Sequence, residues 1–234
     1  MKRLHILFSL TSLVVLLVTI ERFSITTRIL LQPYNFLRLH EVVQISILIL
    51  ATVLIPFLLL KEVSHDFATL RLKRGLWLSI CFLISVYFYA TGNGMHELAS
   101  FLLNQYCNPQ HIQTAVCGSF FVNDYYVGNI LYFVGAGGIY LSLVLLEVLK
   151  PRLLLSRKDL LYMAPNILLY AFTIVAYAGF DLVVVGLVYA LVTTIALDSI
   201  LLFKRRQVSQ LPVTVYLSLT YTLGTIVAVA VRWF

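Results

Sequence analysis

The sequence predicts an all-α polytopic integral membrane protein, a single membrane domain over residues 1–234 built as a bundle of seven transmembrane helices. Hydrophobic residues make up 61% of the chain and charged residues only 12%, whereas soluble domains carry about 25% charged residues. The mean hydropathy is +0.94. The apolar residues form separate stretches near the length of about 20 residues that a helix needs to cross a bilayer. Helices are expected because lipid offers the backbone no hydrogen-bonding partner.

The first apolar stretch could be a signal peptide or a retained span, because basic residues such as Lys2 and Arg3 also precede signal peptides. No small-residue cleavage site precedes the polar pair Glu21–Arg22, so we interpret the stretch as a retained span. The predicted spans cover residues 4–20, 42–60, 76–95, 125–149, 160–178, 182–203 and 211–231.

The basic residues predict the orientation of the bundle. The loops 61–75, 150–159 (including Arg152) and 204–210 hold eleven of the seventeen Lys and Arg residues, and the segments 96–124 and 179–181 hold none. Basic loops face the cytoplasm in most membrane proteins. We therefore expect these loops to be cytoplasmic and the N- and C-termini to be extracytoplasmic. This pattern also explains the net charge of +7 without a nucleic-acid partner, for which no binding motif is present.

Polar side chains gather at the span ends predicted to lie outside. If the third span continues as a helix past residue 95, Asn93 shares a face with His96 and Glu97. Asn129 lies about a turn and a half beyond Asp124 in the fourth span. The predicted catalytic residues are His96, Glu97 and Asp124, and the predicted binding residues are Asn93, Asn123, Asn129 and Asp181.

A divalent metal is one interpretation of this polar group. His40, Glu41, His96 and Asp124 have side chains that ligate metals, and a bound metal would lower the pKa of a water molecule. The simpler alternative is that Glu41 and Asp124 only stabilise helix N-termini. The H-E-x-x-H metalloprotease motif is absent, because its second histidine is replaced in both His-Glu pairs, and no P-loop or serine-hydrolase motif is found.

Two cysteines of the predicted outer loop are expected to form a disulfide. Cys107 and Cys117 are ten residues apart on a face predicted to be oxidising. There is no C-x-x-C motif, so the sequence does not predict a thiol-redox enzyme.

A run of small residues lies in the middle of the fourth span, from Gly135 to Gly138. Small residues let two helix backbones approach closely inside a membrane. The run therefore predicts close helix packing rather than phosphate binding.

Several function classes stay open at the level of sequence. The favoured hypothesis is a membrane-embedded hydrolase or lipid-modifying enzyme with its site at the extracytoplasmic face, acting on a lipid. The alternatives are a transporter with a span interrupted at Gly92 and Gly94, a small-ligand-binding protein, a haem protein that uses His40 and His96 as axial ligands, and a structural protein. The sequence does not indicate an oligomeric state.

Overall fold

The computed structural model describes residues 1–108, 110–151 and 154–233, so Arg152 of the orientation argument lies outside the described residues. Within these ranges the chain is helical and has no β-strand. Seven helical segments are long and apolar enough to cross a membrane. The helices are α1 (Lys2–Glu21), α2 (Leu39–Val43), α3 (Ile49–Val63), α4 (Lys73–Tyr106), α5 (Ala115–Val122), α6 (Asn129–Leu149), α7 (Arg157–Gly179), α8 (Val185–Phe203) and α9 (Pro212–Trp233).

Two of the seven segments are joined helices. A π-helical turn over Gln44–Leu48 connects α2 to α3, and another over Asn123–Gly128 connects α5 to α6. The segment before α2 holds a 3-10 turn over Ile25–Arg28 and a single antiparallel bridge between Leu30 and Arg38.

The predicted loop over residues 96–124 is mostly helical, so that prediction is wrong. Helix α4 continues through Gly92 and Gly94 to Tyr106, and α5 begins at Ala115. Hydropathy falls in this region because its polar side chains line a cavity, while the backbone keeps its helical hydrogen bonds. The continuous helix also removes the broken span on which the transporter alternative rested.

The short connection between α4 and α5 is closed by Cys107 and Cys117. Their sulfur atoms lie at bonding distance and their Cα atoms are 5.8 Å apart, as in a disulfide. The structure thus agrees with the predicted bond.

The bundle has two chemically different ends. The basic end carries the segments 61–75, 150–151, 154–159 and 204–210, and the polar end carries Glu21, His40 and His96. The N-terminus lies at the basic end, where His5 Nε2 is 2.8 Å from Asp159 Oδ1 at the start of α7. The last turn of α9 lies at the polar end, where Arg232 Nη1 donates to the carbonyl oxygen of Asp181 at 3.1 Å.

The start of α1 and the end of α9 therefore lie at opposite ends of the bundle, which disagrees with the prediction that both termini are extracytoplasmic. Lys2 and Arg3 join the basic end, which strengthens the charge asymmetry between the ends.

This placement gives a test in sealed membrane vesicles. We expect a tag fused before Met1 and a tag fused after the C-terminal residue to react with an impermeant label from opposite sides. Labelling of both tags from the same side would contradict the seven-span arrangement.

Helices α4 and α6 pack closely because glycines remove the side chains between them. A Cβ atom added to Gly92 would lie 2.2 Å from the backbone nitrogen of Tyr132, and one added to Gly135 would lie 2.2 Å from that of Tyr89. One added to Gly128 would lie 2.8 Å from the backbone nitrogen of His96. The close packing predicted from the run Gly135–Gly138 is confirmed, and it extends from there toward the polar end of both helices.

Two glycines on α4 provide a matched test of this packing. Gly92→Ala should destabilise the protein by about 1–3 kcal/mol, the usual cost of overpacking, because the added methyl group meets backbone atoms. Gly94→Ala should stabilise it by up to about 1 kcal/mol, because nothing lies within 4 Å of its added Cβ. Denaturant unfolding of the purified variants measures both, and equal effects would contradict the packing described here.

Candidate functional site

The centre of the bundle holds a cavity of about 380 Å³, within the range of about 300–1,000 Å³ typical of small-molecule sites. All seven helical segments contribute to its wall. Two exposed residues, Arg22 and Asn104, line it at the polar end, so the cavity reaches the surface there. From that mouth it extends into the apolar middle of the bundle. Asp198, near the basic end, is not part of its wall, so the cavity gives no polar path through the bundle.

Helical spacing explains how α4 and α7 line this cavity. Tyr89, Asn93 and Glu97 are four residues apart on α4 and so share one face. At 1.5 Å per residue they span about 12 Å of depth. On α7, Tyr170 and Tyr177 are seven residues apart, two helical turns. Both helices therefore present a continuous strip to the cavity.

Both π-helical turns carry cavity residues. Gln44 begins the first turn, and Asp124 and Tyr125 belong to the second. A π turn adds a residue to one helical turn and redirects the side chains around it, and such turns are frequent at functional sites.

One imidazole in the cavity wall lies between two carboxylates. His40 Nε2 is 3.4 Å from Glu97 Oε2, and His40 Nδ1 contacts Glu21 Oε2. His40 and Glu97 are buried. Glu21 was not predicted as a site residue, although it is an acidic residue at the end of the first span, in the connection that leads to His40.

A second imidazole forms a separate pair on the same wall. His96 Nδ1 is 2.8 Å from Asp124 Oδ1 and 3.1 Å from the carbonyl oxygen of Asp124. Asp124 is only 3% exposed. No hydrogen bond joins His96 Nε2 to any residue that the structure describes, which leaves this nitrogen available to a ligand.

Two predicted site residues do not line the cavity. Glu41 is buried, and its carboxylate accepts hydrogen bonds from the backbone nitrogen of Arg38 at 2.8 Å and from Arg38 Nε at 2.7 Å. It caps α2, as the simpler alternative proposed. Asn123 is half-buried, and its Nδ2 donates to the carbonyl oxygen of Ser119 at 2.9 Å. The other predicted binding residues, Asn93, Asn129 and Asp181, all line the cavity.

The predicted metal ligands fall into different groups. Among the described residues, the potential ligand atoms of His40, Glu41 and Glu97 lie within 4.8 Å of one another, whereas His96 pairs with Asp124. A metal in the first group would compete with Arg38, which already occupies both oxygens of Glu41. A haem iron would find both ring nitrogens of His40 facing carboxylates.

The inner part of the cavity is lined by aromatic side chains that the sequence analysis missed. Tyr170 donates to the hydroxyl of Tyr140 at 2.5 Å, and the hydroxyls of Tyr189 and Tyr221 are also 2.5 Å apart. The full set, here called the tyrosine floor, consists of Tyr89, Tyr132, Phe133, Tyr140, Tyr170, Tyr177, Tyr189 and Tyr221. Its members come from five helices, so only the helical spacing within α6 and within α7 was visible in the sequence.

Comparison with known proteins adds no further constraint. No protein-family model matches the chain, and no curated protein or solved structure is significantly similar to it. Its function therefore has to be argued from the cavity itself.

Asp181 lies in the connection between α7 and α8, at the mouth of the cavity. Partial burial raises the pKa of its carboxyl group above the usual range, and the hydrogen bond from the backbone nitrogen of Leu182 opposes this rise. A raised pKa in the folded state means that folding disfavours the ionised carboxylate.

This carboxyl group should make stability depend on pH. Because its pKa is raised on folding, its contribution to stability falls as pH increases through the folded-state value. Asp181→Asn should raise the melting temperature at pH 7 and change it little at about pH 3, where the unfolded carboxyl group is already largely protonated. Asp66→Asn, at an exposed site on the basic end, serves as the control. Parallel pH profiles for wild type and Asp181→Asn would refute this assignment.

Proposed function

We propose that the chain is an integral membrane hydrolase that binds an amphipathic substrate in the central cavity. The observation that supports this most directly is the presence of two carboxylate–imidazole pairs, His40–Glu97 and His96–Asp124, on the wall of one cavity. The polar mouth suits the bond to be cleaved, and the tyrosine floor suits an apolar portion of the substrate. The charge asymmetry of the two ends favours an extracytoplasmic mouth.

One pair would supply the general base and the other the general acid. Glu97 would take a proton from a water molecule as its oxygen attacks the carbonyl carbon of the substrate. His96, held at Nδ1 by Asp124, would donate a proton from Nε2 to the leaving group as the carbon–heteroatom bond breaks. His40 lies between Glu97 and Glu21, so it would pass the proton taken up by Glu97 outward and restore the carboxylate. His96 would regain its proton from water at the mouth of the cavity, so that the enzyme returns to its starting state.

Variants of the two pairs test the proposal. We expect a panel of amphipathic esters and amides, offered to the protein in nanodiscs, to include a substrate that is hydrolysed. His96→Gln and Glu97→Gln should each lower kcat by about 10²–10⁴-fold, the usual contribution of acid–base catalysis. His111→Gln, which changes an exposed histidine near the polar end, should not.

Two outcomes would overturn the proposal. One is hydrolysis that persists unchanged in both His96→Gln and Glu97→Gln. The other is an absence of turnover for every class of ester and amide in the panel, combined with ligand binding that neither substitution alters.

A binding protein without turnover is the second candidate. Most tyrosine hydroxyls of the floor contact one another. Because these hydroxyls already have partners, the floor offers a surface for binding a ligand and no group for catalysis. Tight binding of a ligand that is recovered intact after long incubation would favour this candidate.

A further inference from the structure

The cavity wall is rich in ionisable groups of both signs. Arg38 lines the cavity, but Glu41 behind it neutralises its charge. Among the remaining described groups that line or directly contact this wall, four carboxylates face two guanidinium groups and two imidazoles. The carboxylates are those of Glu21, Glu97, Asp124 and Asp181, and the basic groups are those of Arg22, Arg232, His40 and His96. The wall therefore has no excess of positive charge that would repel a cationic ligand.

Two buried amide oxygens on the same wall have no hydrogen-bond donor. Gln44 Nε2 donates to the carbonyl oxygen of Val18 at 3.0 Å and approaches Glu21 Oε2 at 3.4 Å, which fixes the orientation of the amide. Gln44 Oε1 and Asn93 Oδ1 have no partner, and the two residues are 3% and 4% exposed. Buried acceptors without donors are rare in folded proteins. The missing component is therefore a group that donates hydrogen bonds.

Aromatic faces lie immediately deeper than these acceptors. Tyr89, one helical turn below Asn93, stacks on Tyr132 with ring centroids 4.6 Å apart. Phe133, beside Tyr132 on α6, stacks on Tyr189 at 4.7 Å. Aromatic faces attract organic cations and also pack well against planar apolar groups.

From these observations we infer that the cavity recognises an organic ammonium ion attached to a planar apolar body. The ammonium group, which only donates hydrogen bonds, would lie near Gln44 Oε1 and Asn93 Oδ1. The planar body would rest on the tyrosine floor. The inference deepens the proposed function by naming the substrate class of the same cavity.

A series of three ligands of nearly equal shape tests the charge preference. Tryptamine is a cation at pH 7, tryptophol is neutral and indole-3-acetate is an anion. Titration calorimetry on wild-type protein in nanodiscs, with empty nanodiscs as the blank, gives each Kd. We expect tryptamine to bind at least about tenfold more tightly than tryptophol, which corresponds to about 1.4 kcal/mol, and indole-3-acetate to bind most weakly.

Two variants locate the preference in the cavity. Gln44→Met and Asn93→Leu each remove one unpartnered acceptor with little change in volume. Each should weaken tryptamine binding several-fold and weaken tryptophol binding less, because a hydroxyl group donates one hydrogen bond and an ammonium group up to three. Gln113→Met, at an exposed position, should alter neither. If one variant fails to fold, the other still measures the effect of removing an acceptor. The comparison of the three ligands on the wild-type protein requires no variant.

The outcomes separate this inference from the hydrolase proposal. Equal Kd values across the series, tightest binding of the anion, or a cation preference that persists in both acceptor variants would overturn the inference. Repeating the series on His96→Gln should preserve the cation preference, because it does not depend on turnover. A cation preference without any hydrolysis would leave the inference standing and remove only the hydrolase proposal.

Discussion

The close approach of α4 and α6 is the constraint on which the rest of the site depends. Gly92, Gly128 and Gly135 leave space for the backbone of the opposing helix, and any larger side chain there would separate the two helices. Because Gly128 lies against the backbone of His96, the same contact brings the His96 ring to the carboxylate of Asp124. Local helix packing thus sets the geometry of a pair formed by residues 28 positions apart.

The distribution of polar groups along the cavity follows from the cost of placing charge in an apolar bundle. Ionisable side chains stay near the polar end, where Glu21, Glu97 and Asp124 each lie beside an imidazole. Deeper in the bundle, tyrosine supplies polarity without charge, and four of its hydroxyls pair with one another, Tyr170 with Tyr140 and Tyr189 with Tyr221. This gradient gives the cavity a charged mouth and an aromatic floor, the arrangement expected for an amphipathic ligand.

Much of the fold was predictable from sequence, because seven apolar stretches mark the spans directly. The extent of α4 was not, since hydropathy falls at Asn93, His96 and Glu97 although the helix continues. The side on which the polar residues gather was predictable from the loop charges. Which of them pair was not, because the pairing depends on the register between helices: His96 joined Asp124, whereas Glu41 joined its sequence neighbour Arg38. The tyrosine floor was missed because its members are distributed over the helices and only the fold brings them together.

The pairing of His96 with Asp124 is the central claim, and nitrogen-15 NMR of histidine-labelled protein tests it most directly. The chain contains five histidines, so the His96 signal can be assigned as the one that disappears in His96→Gln. We expect a strongly downfield signal from the Nδ1 proton of His96. This signal should be lost in Asp124→Asn, while the His40 signals remain. Rapid exchange of the His96 Nδ1 proton with water, together with a His96 signal that does not respond to Asp124→Asn, would contradict this pairing.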